Sequence, residues 1–80
     1  MKKLERKLFE ERINSVKGKA LLYNGTYKWL AEKYISGAAL AIRDGNIIAA
    51  NENIHMAEVI VSGMLDNLSL SKRNGHLVFS

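Results

Sequence analysis

Residues 53–67, NIHMAEVIVSGMLDN, constrain this chain more than any other stretch. Read at helical spacing, Ile54, Ala57, Val61, Met64 and Leu68 keep a 3-4-3-4 rhythm, and Met56, Val59, Ile60 and Leu65 widen the apolar surface around them. Only His55, Glu58, Ser62 and Asp66 form a polar stripe. A helix that apolar has to be covered on two sides. The whole chain has 80 residues, a size at which roughly 60% of the unfolded surface is buried on folding. One layer of the same chain covers one side. The other side calls for a second copy or a different partner, and Ile54, Ala57, Val61, Gly63, Met64 and Leu68 are the candidate contact residues of a homodimer. Gly63 costs about 1 kcal/mol inside a helix, and a close approach by another backbone would account for it.

Nothing covalent supplements that burial. There is no Cys, so disulfides, thiolate zinc sites and Cys nucleophiles are excluded together, and small domains without such staples often oligomerise. The apolar runs fall far short of a membrane span. The opening MKKLERKLFEER carries too many charges for a signal-peptide core. The expectation is one small cytoplasmic domain over residues 1–80, with no membrane partner.

The remaining elements follow from period and punctuation. In residues 3–16, KLERKLFEERINSV, Leu4, Leu8, Phe9, Ile13 and Val16 fall on one helical face, and Gly18 ends or interrupts the helix. Three dipeptides, Asn24-Gly25, Asp44-Gly45 and Asn74-Gly75, suit tight hairpin turns. Around the middle one, AALAIRDGNIIAAN sets Ile42 opposite Ile47 and Leu40 opposite Ala49. Residues 26–35 fit either period: as a helix Tyr27, Leu30, Ala31, Tyr34 and Ile35 share a face, as a strand Tyr27, Trp29, Ala31 and Ile35 do. Strand is preferred, because a lone two-stranded hairpin needs a third strand. Asn53 is a plausible N-cap for the apolar helix, and a second hairpin pairs 69–73 with 76–79. The fold class expected is therefore α+β: an N-terminal amphipathic helix, an antiparallel sheet with tight Asn-Gly and Asp-Gly hairpins, the long helix over about 53–67 on that sheet, and a C-terminal hairpin.

Two family resemblances bear on this order. The stretch AIRDGNIIAANENIHMAEVIVSGMLDNL resembles the C-terminal half of a double-stranded-RNA-binding domain. That family has an α-β-β-β-α order, an Asp-Gly turn between its last strands and an Ala-Glu pair on its final helix, as Ala57-Glu58 here. The resemblance implies the topology but not the phosphate clamp, because Ile54-His55-Met56 stands where the family has its Lys-Lys pair, and the Gly-Pro-x-His loop is missing. The stretch LAEKYIS resembles the first half of a DNA-binding helix-turn-helix. Its second helix would be SGAALAIR, which offers only Ser36 and Arg43 to base edges, whereas major-groove reading needs several polar side chains.

Charge points to the ligand. The net charge is +4. Residues 1–28 hold eight Lys/Arg against three Glu, residues 29–71 two against five acids, and residues 72–80 add Lys72 and Arg73. Basic ends suggest a polyanion. Opposite the apolar face of the first helix lie Lys2, Lys3, Arg6, Lys7 and Lys17, offset only by Glu10. Lys19, Lys28, Lys72 and Arg73 extend this set, and Trp29 stands beside Lys28 as a stacking platform, exposed if residues 26–35 are helical. RNA is preferred to DNA, since no element suits a major groove. Catalysis is not expected: His55 and Glu58 lack further metal ligands, and there is no phosphate loop or nucleophile elbow. No cofactor is implied. The function expected is a small basic RNA-binding homodimer with little sequence specificity. The alternative is a non-enzymatic protein-interaction or inhibitor module, of the size and charge of phage accessory proteins that neutralise host defences or toxins.

Overall fold

The structure is a computed structural model and describes residues 2–67. It contains three helices, α1 (Lys3–Leu22), α2 (Lys28–Arg43) and α3 (Ile47–Val61), followed by a helical turn at residues 64–67, with no strand among the described residues. The expected α+β class is corrected to an all-α three-helix fold. The α-β-β-β-α order implied by the RNA-binding-domain resemblance gives way with it, and the expected C-terminal hairpin lies outside the described residues.

The core explains the change. In α1 and its C-cap residue Tyr23, Phe9, Ile13, Val16, Ala20 and Tyr23 recur at 4-3-4-3 spacing; in α2, Ala31, Ile35, Ala38 and Ile42 at 4-3-4; in α3, Ala50, Ile54, Ala57 and Ile60. These rows meet in three tiers. Ile13 packs with Ala38, Ala41, Ile42, Ala50 and Ile54. Val16 and Ala20 pack with Ile35 and Ala57. Tyr23 packs with Ala31 and Ile60. The tiers make α2 antiparallel to both α1 and α3. Ile54, Ala57 and Ile60 are 0% exposed, so α1 and α2 cover the two apolar sides of α3 that the sequence left open. Each buried Ile contributes roughly 1.5–3 kcal/mol. Ala, which forms half of the α2 and α3 rows, is the best helix former and a poor strand former. Small side chains also bring α2 and α3 together: a Cβ on Gly37 would sit 3.1 Å from Asn53 Oδ1.

The Asp44-Gly45-Asn46 turn joins helices rather than strands. Gly45 has φ 74°. Its N–H donates to Ile42 O at 3.1 Å, and the Asn46 N–H donates to Ala41 O at 2.8 Å, the paired bonds of a Schellman helix end. Asn46 Oδ1 then accepts from the Ala49 N–H at 3.0 Å and caps α3. The positive φ read as a hairpin signal serves a helix C-terminus equally well, and α3 starts at Ile47 rather than after Asn53. Asn53 instead lies within α3, where Nδ2 donates to Ala49 O at 2.8 Å. The long helix also stops short of residue 67. Gly63, at φ 85°, closes α3, its N–H donating to Ile60 O at 3.1 Å.

Residues 26–35, expected as a strand, are turn and the first half of α2, burying Ala31 and Ile35. The helix-turn-helix reading fails at the same place, because α2 runs unbroken from Lys28 to Arg43 and its supposed recognition half buries Ala38, Ala41 and Ile42. The loop before α2 is held by Asp66, which accepts the Tyr23 hydroxyl hydrogen and the Thr26 N–H at 3.0 Å. Burial first, and then the hydrogen bond to Asp66, raise the Tyr23 hydroxyl above its ordinary value of 10.0.

Two outcomes are expected from this packing. Gly18 lies in the interior of α1, exposed, and a Cβ added there would meet nothing within 4 Å; Gly18→Ala should therefore add about 0.5–1 kcal/mol of stability in urea titrations. Tyr23 is protonated at neutral pH in both states, and its raised value favours the neutral phenol on folding. That contribution is complete below pH about 10 and lost as pH rises through the folded-state value. Tyr23→Phe should cost about 1–3 kcal/mol at neutral pH through the lost bond to Asp66 and should flatten the fall of stability above pH about 10.

Candidate nucleic-acid interface

Helix α1 has two different flanks, and its neighbours identify them. Arg12 fixes the α3 side: Nη2 and Nε donate to the two Glu58 carboxylate oxygens at 2.9 and 3.4 Å, and Nη1 donates to Asn51 Oδ1 at 3.0 Å. The α2 side is marked by a groove in which Glu10, Asn14 and Lys17 meet Ala39 and Ile42. At about 100° per residue, Lys3, Arg6, Lys7 and Lys17 fall on the α2 side and outward from it, with Glu10 as the acid among them. Lys3, Lys7 and Lys17 are exposed and Arg6 is half-buried.

Two ion pairs occur among the described residues, Arg12–Glu58 and Arg43–Asp44. Neither engages Lys3, Arg6, Lys7 or Lys17. At the start of α1 the Lys2 N–H donates to Glu5 Oε1 at 2.9 Å, half of a capping box, and the Lys2 side chain is exposed beside Lys3. Lys19 is also exposed, but its angular position puts it on the α3 side, apart from the others. Lys28 is half-buried, its Nζ donating to Tyr23 O at 3.4 Å. Lys72 and Arg73 lie outside the described residues.

Helix α2 adds an exposed aromatic side chain and two exposed cations. Trp29 is 63% exposed in its first turn, and exposed Lys33 follows one turn later on the same face. Arg43, exposed in the last turn, pairs with Asp44 at a long 3.8 Å. Neither Lys33 nor Arg43 is among the residues assigned to the site from sequence; the helical turn is what brings Lys33 within one turn of Trp29. Charge is divided by helix: α1 has six Lys/Arg against three Glu, α2 three against one, and α3 none against Glu52 and Glu58. Positive charge is therefore concentrated on α1 and α2.

The residues assigned from sequence to a dimer contact are distributed differently. Ile54 and Ala57 are fully enclosed, Val61 is half-buried against the core, Gly63 ends α3, and Met64 is 55% exposed. Leu68 is outside the described residues. Exposed His55 stands one turn before Glu58, which Arg12 already engages. No group of three or more metal-ligating side chains occurs among the described residues, nor does a buried charged one. No helix among those residues is long and apolar enough to cross a membrane. Comparison with family models, with curated proteins and with solved structures finds no match.

Proposed function

We propose that this protein is a non-enzymatic RNA-binding module that lays its α1–α2 surface on the phosphate backbone with little sequence specificity. The observation that carries this reading is the flank of Lys3, Arg6, Lys7 and Lys17, which has no carboxylate partner in the described chain. Cations held by their own carboxylates have little to offer a phosphate, whereas free ones displace condensed counterions from the nucleic acid. Exposed Trp29 beside Lys33 adds an aromatic face next to a cation, a pairing that suits unpaired bases. DNA is the weaker ligand in this reading, because the polar faces of α2 and α3 are broken by Leu40 and Ile48 and present no row of base-reading side chains. A cytoplasmic setting accords with such a ligand.

A protein-interaction module is the second reading. Leu21 and Leu22, 78% and 84% exposed at the end of α1, favour it, since adjacent exposed leucines contribute nothing to phosphate contacts.

Fluorescence anisotropy with a labelled single-stranded RNA distinguishes the two. Four phosphate contacts give a slope of roughly −2.8 in log affinity against log salt, or about a fifty-fold loss between 50 and 200 mM salt. Changing Lys3, Arg6 and Lys7 together to Glu should abolish binding with the helical circular-dichroism spectrum retained. Trp29→Ala should weaken single-strand binding by about 1–3 kcal/mol. Absence of binding at low salt would leave the protein-interaction reading in its place.

A further inference from the structure

The α3 side of α1 is a separate surface. Exposed Leu8 and half-buried Phe9 meet exposed Ile47 in a groove of about 310 Å³, closed by Glu5, Arg12 and Asn51. Leu4 stands one turn before Leu8, and Ile48 follows Ile47; these four aliphatic residues are 68%, 53%, 41% and 71% exposed for Leu4, Leu8, Ile47 and Ile48. They lie near the starts of α1 and α3, beside the core tier of Ile13 and Ala50.

We infer that this α1–α3 face is a two-fold interface occupied by a second copy of the chain. Charge is the first argument. The α2-side flank of α1 carries four cations against Glu10, and two such flanks would repel. At helical spacing the α3-side flank carries Glu5, Glu11, Arg12 and Lys19, and with Glu58 of α3, which pairs with Arg12, the face holds two cations against three carboxylates. A rim of mixed sign and small net charge around an apolar centre lets identical surfaces meet with little repulsion, while an acidic partner would be drawn to the other flank. Area is the second argument. The four aliphatics together expose the equivalent of roughly two whole residues, a few hundred Å² per copy, the size at which a contiguous patch marks an interaction site. Doubled and with its rim, it approaches the 1,200 Å² or so at the lower end of stable interfaces.

The inference does not depend on RNA. In the dimer the basic α1–α2 surfaces stay open on both copies, so any polyanion they hold is gripped at two places.

Size-exclusion chromatography with light scattering on the full chain, from about 10 to 500 μM, reads the mass directly. A mass rising to twice the chain mass with concentration is expected. Leu8→Glu with Ile48→Glu should return the monomer, weakening association at least a hundred-fold with the circular-dichroism spectrum retained. If that pair loses helicity, Ile48→Glu alone, at the most exposed of the four positions, should give the same shift. Leu21→Glu with Leu22→Glu, at the other end of α1, should leave the dimer intact. A parent that is monomeric throughout, a dimer that survives the Leu8 and Ile48 changes, or one dissociated only by the Leu21 and Leu22 changes overturns the inference.

Discussion

The fold depends on enclosing α3. A helix with Ile54, Ala57 and Ile60 at zero exposure cannot be half-covered, because each uncovered Ile would forfeit roughly 1.5–3 kcal/mol in a domain whose total margin is of that order or a few times larger. One sheet layer would leave such a helix open on one side. Two helices enclose it, and α1 and α2 do so because the facing rows are built on alanine. Ala31, Ala38, Ala41, Ala50 and Ala57 give little apolar area each, but they let the axes come close enough for the isoleucines between them to be sealed. The protein thus meets within one chain a demand that the sequence seemed to pass to a second.

That solution shows which parts of the structure were legible in advance. The N-terminal helix, its apolar face and its cationic flank were readable, because Phe9, Ile13 and Val16 keep a helical period that no strand matches. Its length was not. Gly18 suggested an end, yet Ala20 and Tyr23 bury beyond it, and that packing outweighs a glycine penalty of about 1 kcal/mol. The middle of the chain misleads for a sharper reason. Asp44-Gly45 promises a positive φ and nothing more; a type I′ hairpin and a Schellman helix end use it alike. What separates them is composition on either side, and AALA before the turn with IIAAN after it is better helix than strand by the alanine content alone. The candidate site inherited both halves of this. Lys3, Arg6, Lys7 and Lys17 were found by period, whereas Lys33 and Arg43 were not assigned to the site, and the helical turn of α2 is what brings Lys33 close to Trp29.

Arg12 accounts for the way charge is arranged. It is the α1 cation that reaches α3, where Glu58 and Asn51 hold it. Half-exposed as the Arg12–Glu58 pair is, it contributes at most about 1 kcal/mol to stability. Its larger effect is to pair off a positive charge on the α3 side of α1 against a carboxylate of α3, while the α2 side keeps its cations unpaired. One ion pair therefore separates an apolar flank of small net charge from a basic polar one, which is the division on which both binding proposals rest.

The far end of the bundle ties the proposed ligand surface to the stability of the fold. Trp29 begins α2, and the turn that delivers it is fixed by Asp66 through the Tyr23 hydroxyl and the Thr26 N–H. That carboxylate follows α3, in the helical turn at residues 64–67, so the turn that leads to the exposed indole depends on a residue far from it in sequence. Lys28, the one cation of the candidate set with its ammonium on a backbone carbonyl, reaches Tyr23 O in the same turn. Loosening this clamp would let the first turn of α2 fray, and deprotonating the Tyr23 phenol would loosen it, since that places two negative charges at one contact.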